Sequence, residues 1–189
     1  MGNKFQTNKK RFFYPDEFEK MLDYCNKNQK FTALCLINTG ARINEVRHIK
    51  LHNLSTERKS IVLEKTKVRA RLGEKRSEPR IIAVSNKFFH YIKTNLSKHH
   101  ILSTNAFNLG IKAACKKASI PNPQEYSAHK FRKTFGTWML ALGVDGFKLA
   151  QHLGHSPIEL TRDYATNDIF NHKDKQIMRG ILGNISERF

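Results

Sequence analysis

The segment FTALCLINTG, residues 31–40, is apolar on nearly every side, and it restricts the fold more than any other part of the chain. A helix with such a surface is stable only when other elements bury it. Gly40 is a favourable residue to end this helix, because glycine readily adopts the left-handed conformation found just after many helices. We therefore expect this helix to be buried.

Further helices are predicted on both sides of that segment, because apolar residues recur there at helical spacing. They comprise a helix from about Pro15, ARINEVRHIKL, NKFFHYIKTNL after a cap at Ser85 or Asn86, residues 107–118, HKFRKTFGTWML, DGFKLAQHLG, SPIELTRDYA and a last helix around IMRGILGN. On the helix of HKFRKTFGTWML, one face is the expected core face, and it carries Phe131, Phe135, Trp138 and Leu142.

The composition changes over residues 61–84. The short β-branched runs IVLEK and RIIAV flank a stretch, from Lys65 to Arg80, that contains seven basic and two acidic residues. This pattern predicts a β-hairpin with a long charged connection, and it leaves room for one further short strand. The predicted fold is thus α+β and mostly helical, with a small antiparallel sheet inserted among the helices. It forms one domain over residues 12–189, preceded by a basic tail over residues 1–11.

The charge of the chain indicates its partner. Lys and Arg number 34 against 16 Asp and Glu, which gives a formal net charge of +18 and favours a polyanion, nucleic acid before an anionic membrane. The three cysteines form no CxxC pair, so neither a disulfide framework nor a zinc site is expected. No apolar run approaches the ~18 residues needed to cross a bilayer. We therefore expect an intracellular, cytoplasmic protein that associates with the nucleoid.

Two arginines stand in contexts that suit an anion. In HKFRK, His129 and Arg132 lie one helical turn apart and can hold one anion from two directions, although a solvated polar face explains an isolated HxxR pair better. Arg42 follows the stop at Gly40, and its planar guanidinium suits two phosphate oxygens. Glu45, one turn later, can orient that guanidinium, and a simple surface ion pair is the alternative.

The stretch LGHSPIELTRDY places a histidine and a tyrosine on either side of a helix start. Gly154 ends one helix, and SPIE is a capping box with proline at the first helical position, so His155 lies in a tight joint. Tyr164 then follows about two turns into the new helix. His152, in the preceding helix, is a rival to His155, and an ordinary amphipathic position is the alternative for Tyr164.

Taken in order, these features resemble the catalytic domain of the tyrosine recombinases, the phage integrase family. The matching segments are TGARINEV, the basic hairpin with EKTK, AHKFRKTFGTWML and LGHSPIELTRDY, and the likeness covers residues 12–175. The resemblance implies paired arginines, a hairpin lysine, two histidines and a nucleophilic tyrosine. In this sequence they are Arg42, Arg132, Lys65, His129, His155 and Tyr164. Lys67, on the same strand face, is the alternative to Lys65.

The implied reaction is site-specific DNA cleavage and rejoining, as in integration or recombination. Tyr164 would attack the scissile phosphate and leave a 3′-phosphotyrosine and a 5′-hydroxyl, with His129 assisting the proton transfer and Lys65 protonating the leaving oxygen. Arginines and histidines would stabilise the developing charge, so the resemblance implies no metal and no other cofactor. No ATP is required, because the tyrosyl linkage conserves the energy of the bond.

Double-stranded DNA is the implied partner. Candidate contacts to its backbone are basic residues of the hairpin and of the helix that carries Arg132: Lys67, Arg69, Arg71, Lys75, Arg76, Lys130 and Lys133. In the family, the segment after the tyrosine often docks on a neighbouring subunit. Residues 168–189 are apolar enough to do so and to support a dimer or tetramer on DNA, and packing on their own subunit is the alternative.

Two other functions share parts of this pattern. A type IB topoisomerase would use the same catalytic residues to relax DNA as a monomer, and a non-catalytic DNA-binding domain would keep the fold as a phosphate clamp. A clamp has no need of Tyr164, which favours the enzyme. The family usually carries an upstream helical domain, and the segment before the first helix is too short for one. We therefore expect an isolated catalytic domain or a minimal natural recombinase.

Overall fold

The structure, a computed structural model, describes residues 12–64, 79–154 and 169–189, and most of these residues are helical. Its helices are α1 (Pro15–Asp23), α2 (Lys27–Thr39), α3 (Ile43–Val46), α4 (Asn86–Asn95), α5 (Thr104–Lys117), α6 (Ala128–Ala141), α7 (Gly146–Leu153) and α8 (His172–Leu182). Short 3₁₀ turns cover Leu51–Asn53, Pro123–Glu125 and Ile185–Arg188, and the strands are β1 (Leu54–Ser55), β2 (Ser60–Leu63) and β3 (Arg80–Ala83). The predicted α+β, mostly helical fold with a small antiparallel sheet is confirmed.

Helix α2 lies at the centre of the core, as its all-round apolar sequence predicts. Its residues Phe31, Cys35 and Leu36 are fully buried, and the helix contacts α3, α4, α5, α6 and α8. The predicted stop at Gly40 is confirmed, with a φ of 61°. A Cβ on Gly40 would lie 2.3 Å from Cδ1 of Phe135, so both the backbone conformation and the close approach of α6 require glycine here.

The residues before α1 bind the start of the described chain to α6. The backbone N–H of Phe13 donates to Thr134 Oγ1 at 3.0 Å, and the indole Nε1 of Trp138 donates to the carbonyl of Phe13 at 3.1 Å. The ring of Phe13 also packs edge-on against Phe131. Of the predicted core face of α6, Phe131, Phe135 and Trp138 are fully buried, whereas Leu142, at the end of the helix, is half-buried against the core.

Strands β1, β2 and β3 form one antiparallel sheet in that order, which confirms the predicted hairpin and the additional short strand. Ile61, Leu63 and Ile82 face the core, whereas Ile81 is exposed on the outer face. The last described pair of the hairpin joins Leu63 of β2 to Arg80 of β3. Strand alternation therefore places Arg80 on the same face as Ile82, towards the core.

The prediction of a long third helix over ARINEVRHIKL is wrong. Helix α3 has four residues, Ile43–Val46, and the chain then passes into the 3₁₀ turn Leu51–Asn53 that leads to β1. A side chain competes with the helix for the backbone here: Asn53 Oδ1 accepts from the N–H of Lys50 at 2.8 Å, and the Asn53 amide donates to Glu64 at 2.7 Å. This contact with the end of β2 outweighs the local helical pattern.

The C-terminal segment packs on its own subunit, which is one of the two arrangements that its apolar residues allow. Met178 and Leu182 of α8 are fully buried against the helical core. Arg188 then donates from Nη1 to the backbone carbonyls of Lys59, at 2.7 Å, and of Val84, at 2.6 Å. These bonds hold the last 3₁₀ turn against the sheet.

All three cysteines lie in the described part of the chain, and none of them forms a disulfide. Cys35 and Cys115 are buried, whereas Cys25 is half-buried. Burial raises the pKa of the Cys25 thiol to about 11, so this group stays protonated at neutral pH. Among the residues described, no helix is both long enough and apolar enough to cross a membrane.

Candidate active site

Three segments that are predicted to carry catalytic residues meet at Arg132 of α6. Its Nη1 donates to the carbonyl of Gly40 at 2.8 Å, and its Nη2 donates to the carbonyl of Leu153. Gly40 lies two residues before Arg42, and Leu153 lies two residues before His155. The structure therefore brings the backbone that carries Arg42 and the end of α7 together beside the Arg132 guanidinium.

Arg132 is buried rather than solvated, with an exposed fraction of 1%. The interpretation of HKFRK as a solvated polar face therefore does not hold at this position, because the end of α7 binds over that face of α6. Both Nη groups of this buried guanidinium donate to carbonyls, and these bonds offset part of the cost of burying it. The acceptors of these two bonds are neutral carbonyl oxygens rather than carboxylates.

His129 lies one turn before Arg132 on α6 and is exposed. Lys130 and Lys133, on the same helix, are half-buried. The helix thus presents His129 at the surface and buries Arg132 one turn later.

The predicted contact between Arg42 and Glu45 is present at the start of α3. The backbone N–H of Arg42 donates to Glu45 Oε2 at 2.7 Å, which caps the helix, and Arg42 Nη1 donates to Oε1 at 3.2 Å. The side chain of Glu45 is 1% exposed, whereas that of Arg42 is 47% exposed. Glu45 thus holds one edge of the Arg42 guanidinium while the rest of the group remains accessible to a ligand.

Arg80 belongs to this site, although the sequence pattern placed it only among the charged residues of the hairpin. It donates from Nη1 and Nη2 to the two oxygens of Glu45, at 2.7 and 3.1 Å, and from Nε to the carbonyl of His152 at 2.9 Å. Its side chain is only 14% exposed. Strand alternation in RIIAV was the sequence signal that could have placed Arg80 towards the core. Arg80 and the apolar Ile82 are two residues apart, so they share a face of the strand.

Glu45 is a buried carboxylate shared by two arginines. Burial raises the pKa of this carboxyl, but hydrogen bonds and the charge of Arg80, followed by those of Arg42, bring the pKa below its ordinary value. Glu45 is therefore ionised at neutral pH. Two guanidinium groups and one carboxylate leave this cluster with a net charge of +1, so it attracts an anion as a whole.

His152, the rival to His155, belongs to the core. Its exposed fraction is 9%, its ring stacks on Phe135 with the centroids 5.2 Å apart, and it also contacts the ring of Phe189. Its Nε2 donates to the carbonyl of Thr39 at 2.9 Å. Burial lowers the pKa of His152 to about 4, so the imidazole is neutral at neutral pH. Both its position and its charge state fit a structural role rather than phosphate binding.

Mild acid is expected to destabilise the fold through His152. Its pKa in the folded protein, about 4, lies below the ordinary value of 6.5, so between these values the unfolded chain binds a proton that the folded protein does not. The stabilisation is complete above pH 6.5 and is lost as the pH falls towards 4, by about 3 kcal/mol in total. The free energy of unfolding in urea should therefore fall between pH 7 and 5 more steeply for the wild type than for His152→Gln.

The lower limit of pH 5 keeps the Glu45 carboxylate ionised, since its pKa is below the ordinary value. His90→Gln is the matched control, because it removes an exposed histidine and should follow the wild-type profile. Parallel profiles for the wild type and His152→Gln would contradict the prediction. They would mean that the unfolded chain and the folded protein titrate His152 alike.

Several of the predicted catalytic and DNA-contact residues lie outside the described residues. They are Lys65, Lys67, Arg69, Arg71, Lys75, Arg76, His155 and Tyr164, together with the helix start at Ser156. The structure pairs Arg42 with Glu45 and places Arg80, at one end of the hairpin connection, on the same carboxylate. It also brings the carbonyl of Gly40, two residues before Arg42, to Arg132. In the part of the chain that the structure describes, no three His, Cys, Asp or Glu side chains group as metal ligands.

Comparison with known proteins relates this chain to one family. The Phage integrase family model matches residues 11–170. The integrase of Escherichia phage P2 is 29% identical over 138 residues, which cover 73% of this chain and 37% of that protein. Tyrosine recombinase XerA of Saccharolobus solfataricus is 28% identical over 155 residues, which cover 78% of this chain and 49% of that protein. The chain thus spans less than half the length of each of these curated relatives.

Solved structures show the same fold. The catalytic domain of bacteriophage HP1 integrase matches with a TM-score of 0.60 and 21% identity, over 92% of this chain and 97% of that chain. The Tn1549 transposon integrase in complex with transposon right end DNA matches with a TM-score of 0.68 and 16% identity, over 93% of this chain and 67% of that chain. At these identities the likeness establishes the architecture, a mostly helical domain with a small antiparallel sheet.

Proposed function

The chain belongs to the phage integrase family, and we propose that it cleaves and rejoins double-stranded DNA at specific sites through a covalent 3′-phosphotyrosyl intermediate. The observation that carries the proposal is the double contact of Arg132 with the carbonyls of Gly40 and Leu153. This contact joins the segment that carries Arg42 to the segment that leads to His155. Residues of both segments are therefore proposed to bind one phosphate. The similarity to integrases and recombinases favours this function over a monomeric topoisomerase and over a non-catalytic clamp.

The charges of the described residues support an anion at this place. Arg132 donates to neutral carbonyl oxygens, and the cluster of Arg42, Glu45 and Arg80 carries a net charge of +1. During phosphodiester cleavage, negative charge grows on the non-bridging oxygens, and positioned donors stabilise it in the transition state. We therefore assign Arg42 and Arg132 to these oxygens, with His155 as a third donor.

The proposed step forms a bond between Oη of Tyr164 and phosphorus and breaks the bond from phosphorus to the 5′ oxygen. A phenol, with an ordinary pKa of about 10, is a weak nucleophile until its proton is accepted. His129, exposed one turn before Arg132, is the proposed acceptor, and Lys65 is the proposed proton donor to the leaving 5′ oxygen. Rejoining reverses these transfers, so the bond energy is conserved and no ATP is needed.

A nicked suicide duplex tests the proposal directly. After cleavage of such a substrate, the short 5′-hydroxyl fragment diffuses away, so the covalent adduct accumulates and survives SDS. We expect the protein to be joined to the 3′ phosphate at the cut, and peptide mapping should place the linkage on Tyr164. If the wild-type protein forms no adduct across a library of randomised duplexes, the proposed function is wrong.

Lys65→Ala is expected to slow cleavage by roughly a hundredfold, the effect of losing a general acid, and to do so more than Lys67→Ala. Lys67→Ala is the matched control, because it removes an equal charge two residues away. Sulfur in place of the scissile 5′ oxygen should restore the rate of Lys65→Ala, since a thiolate leaves without a proton. The reverse order of the two variants, or no rescue by sulfur, would assign the proton donor to another residue.

The basic residues of α6 are proposed to contact the DNA backbone, and binding should depend steeply on salt. With a formal net charge of +18, the protein should release counterions from DNA as it binds. Lys133→Gln should reduce the slope of log affinity against log salt concentration by roughly one, if Lys133 contacts one phosphate. Lys20→Gln is the control, because Lys20 is exposed and pairs with Asp16. A flat salt dependence of the wild type would argue against DNA.

On DNA, in association with the nucleoid, the chain is proposed to form a dimer or tetramer through residues 168–189. Helix α8 packs on its own subunit, where Met178 and Leu182 are buried. The surface of the helical core that these two side chains cover would bind the same segment of a neighbouring copy through the same contacts, as in a domain swap. Sedimentation with and without duplex DNA measures this assembly, and a monomer under both conditions would contradict it.

A further inference from the structure

Arg80 has no part in the reaction proposed above, although its side chain is only 14% exposed and binds two of the segments that form the site. It donates to both oxygens of Glu45 and to the carbonyl of His152, so it ties the start of β3 to α3 on one side and to α7 on the other. A buried charge costs free energy unless it is paired. Arg80 meets this condition through the buried carboxylate of Glu45, and it compensates the charge of that carboxylate in turn.

The charge of Arg80 determines how much of the charge of Arg42 remains for a ligand. A buried carboxylate beside a single guanidinium forms a neutral pair, which attracts a phosphate only weakly. Arg80 contacts both oxygens of Glu45, at 2.7 and 3.1 Å, whereas the side chain of Arg42 makes one contact at 3.2 Å. Glu45 is thus compensated mainly by Arg80, and Arg42 keeps its charge with 47% of its side chain exposed.

Arg80 also acts on the end of α7, together with Arg132. Arg80 Nε donates to the carbonyl of His152 at 2.9 Å, and Arg132 donates to the next carbonyl, that of Leu153. The last carbonyls of a helix have no partner within the helix and carry the negative end of its dipole, so guanidinium groups are favourable donors there. Two arginines from different elements therefore hold the end of α7, from which the chain continues to His155.

We propose that Arg80 is a positioning residue of the phosphate site. By compensating Glu45, it keeps the positive charge of Arg42 available to a phosphate. By binding the carbonyl of His152, it holds the end of α7 beside α3. The inference rests on the proposed function, because it takes a DNA phosphate as the natural anion. The first of these two roles gives the more specific test. If Arg80 acts by compensating Glu45, removal of that carboxylate by a second substitution should restore the phosphate affinity that is lost when Arg80 is replaced.

The test uses inorganic phosphate as the probe and the ¹⁵N-resolved Nε–H resonance of Arg42 as the readout, so it does not depend on DNA cleavage. Phosphate should shift this resonance in the wild-type protein. In Arg80→Met the dissociation constant should increase by about tenfold, because Glu45 then pairs with Arg42 alone. In the double variant that carries both Arg80→Met and Glu45→Gln, the dissociation constant should return to within about threefold of the wild-type value, because no carboxylate remains to neutralise Arg42.

Two further variants separate this role from general support of the fold. Arg188→Met is the matched control, because Arg188 also donates to backbone carbonyls of the sheet region but does not contact Glu45. Its phosphate affinity should equal that of the wild type. Arg80→Lys is the second variant, in case Arg80→Met does not fold: it keeps the compensating charge, so its phosphate affinity should stay near the wild-type value. Urea unfolding of each variant shows that folded proteins are compared.

A purely structural role of Arg80 predicts that the double variant binds phosphate as weakly as Arg80→Met or more weakly, and this result would overturn the inference. A loss in Arg80→Lys equal to that in Arg80→Met, or a wild-type Arg42 resonance that does not respond to phosphate, would also overturn it.

Cleavage rates on the suicide duplex should follow the same order of variants. If phosphate binding follows this order but the wild type forms no adduct, the proposed function fails and the inference holds. If the adduct forms and the order is absent, the inference alone fails.

Discussion

Tyr164→Phe should abolish the covalent protein–DNA adduct and leave a folded protein that still binds DNA. The substitution removes only the oxygen that is proposed to bond to phosphorus, and phenylalanine offers no atom in its place. Because the covalent route depends on this nucleophile, we expect the rate of adduct formation to fall by roughly 10⁴-fold or more. Single-turnover incubation with the suicide duplex, followed by SDS gel electrophoresis, measures the effect.

Tyr24→Phe is the matched control for this experiment. Tyr24 is 51% exposed at the end of α1 and has no proposed role, so adduct formation by this variant should equal that of the wild type. Adduct formation by Tyr164→Phe at the wild-type rate would move the nucleophile to another residue. Loss of DNA affinity in Tyr164→Phe would show that the hydroxyl contributes to binding as well as to chemistry.

Arg132→Ala should have the second large effect, on stability and on cleavage together. The side chain is 1% exposed and binds the carbonyls of Gly40 and Leu153, so truncation leaves two buried acceptors without these donors and creates a cavity. Such losses add to a decrease in the free energy of unfolding of about 3–5 kcal/mol. Urea denaturation measures this decrease. At a temperature at which the variant is folded, cleavage of the suicide duplex should fall by at least about a hundredfold.

His129→Ala separates the two effects on the same helix. His129 is exposed one turn from Arg132, so its removal should lower the free energy of unfolding much less than Arg132→Ala does, while cleavage slows. Arg132→Lys keeps the positive charge but cannot span both carbonyls, so it should recover little of the lost stability. Wild-type stability of Arg132→Ala would show that the link between Gly40 and Leu153 does not support the fold.

The elements that could be predicted best are those whose stability is local. Helix α2 ends at Gly40 as expected, and Ser85 begins α4 by accepting a hydrogen bond from the N–H of Phe88. Caps and periodicity act within a few residues, so a single sequence is enough to locate them. The prediction fails at ARINEVRHIKL because Asn53 binds Glu64, eleven residues away, and a local pattern contains no information on that contact.

The candidate site shows the same division. The contact of Arg42 with Glu45 spans three residues of one helix start and could be predicted from spacing. The contacts of Arg80 span 35 residues to Glu45 and 72 residues to His152, and spacing does not predict them. Burial of His152 likewise depends on two rings, Phe135 and Phe189, that are distant in the chain.

The order and spacing of the residues, from Arg42 to the interval between His155 and Tyr164, determined the family, the helical class of the fold and the chemistry proposed for the site. Only the tertiary structure decided that Arg132 is buried beneath the end of α7, that Glu45 is shared with Arg80, and that His152 belongs to the core. The physical reason is that helices, caps and strand alternation arise from neighbours along the chain. Burial and charge compensation depend instead on which distant segments meet, and that is set by packing around α2.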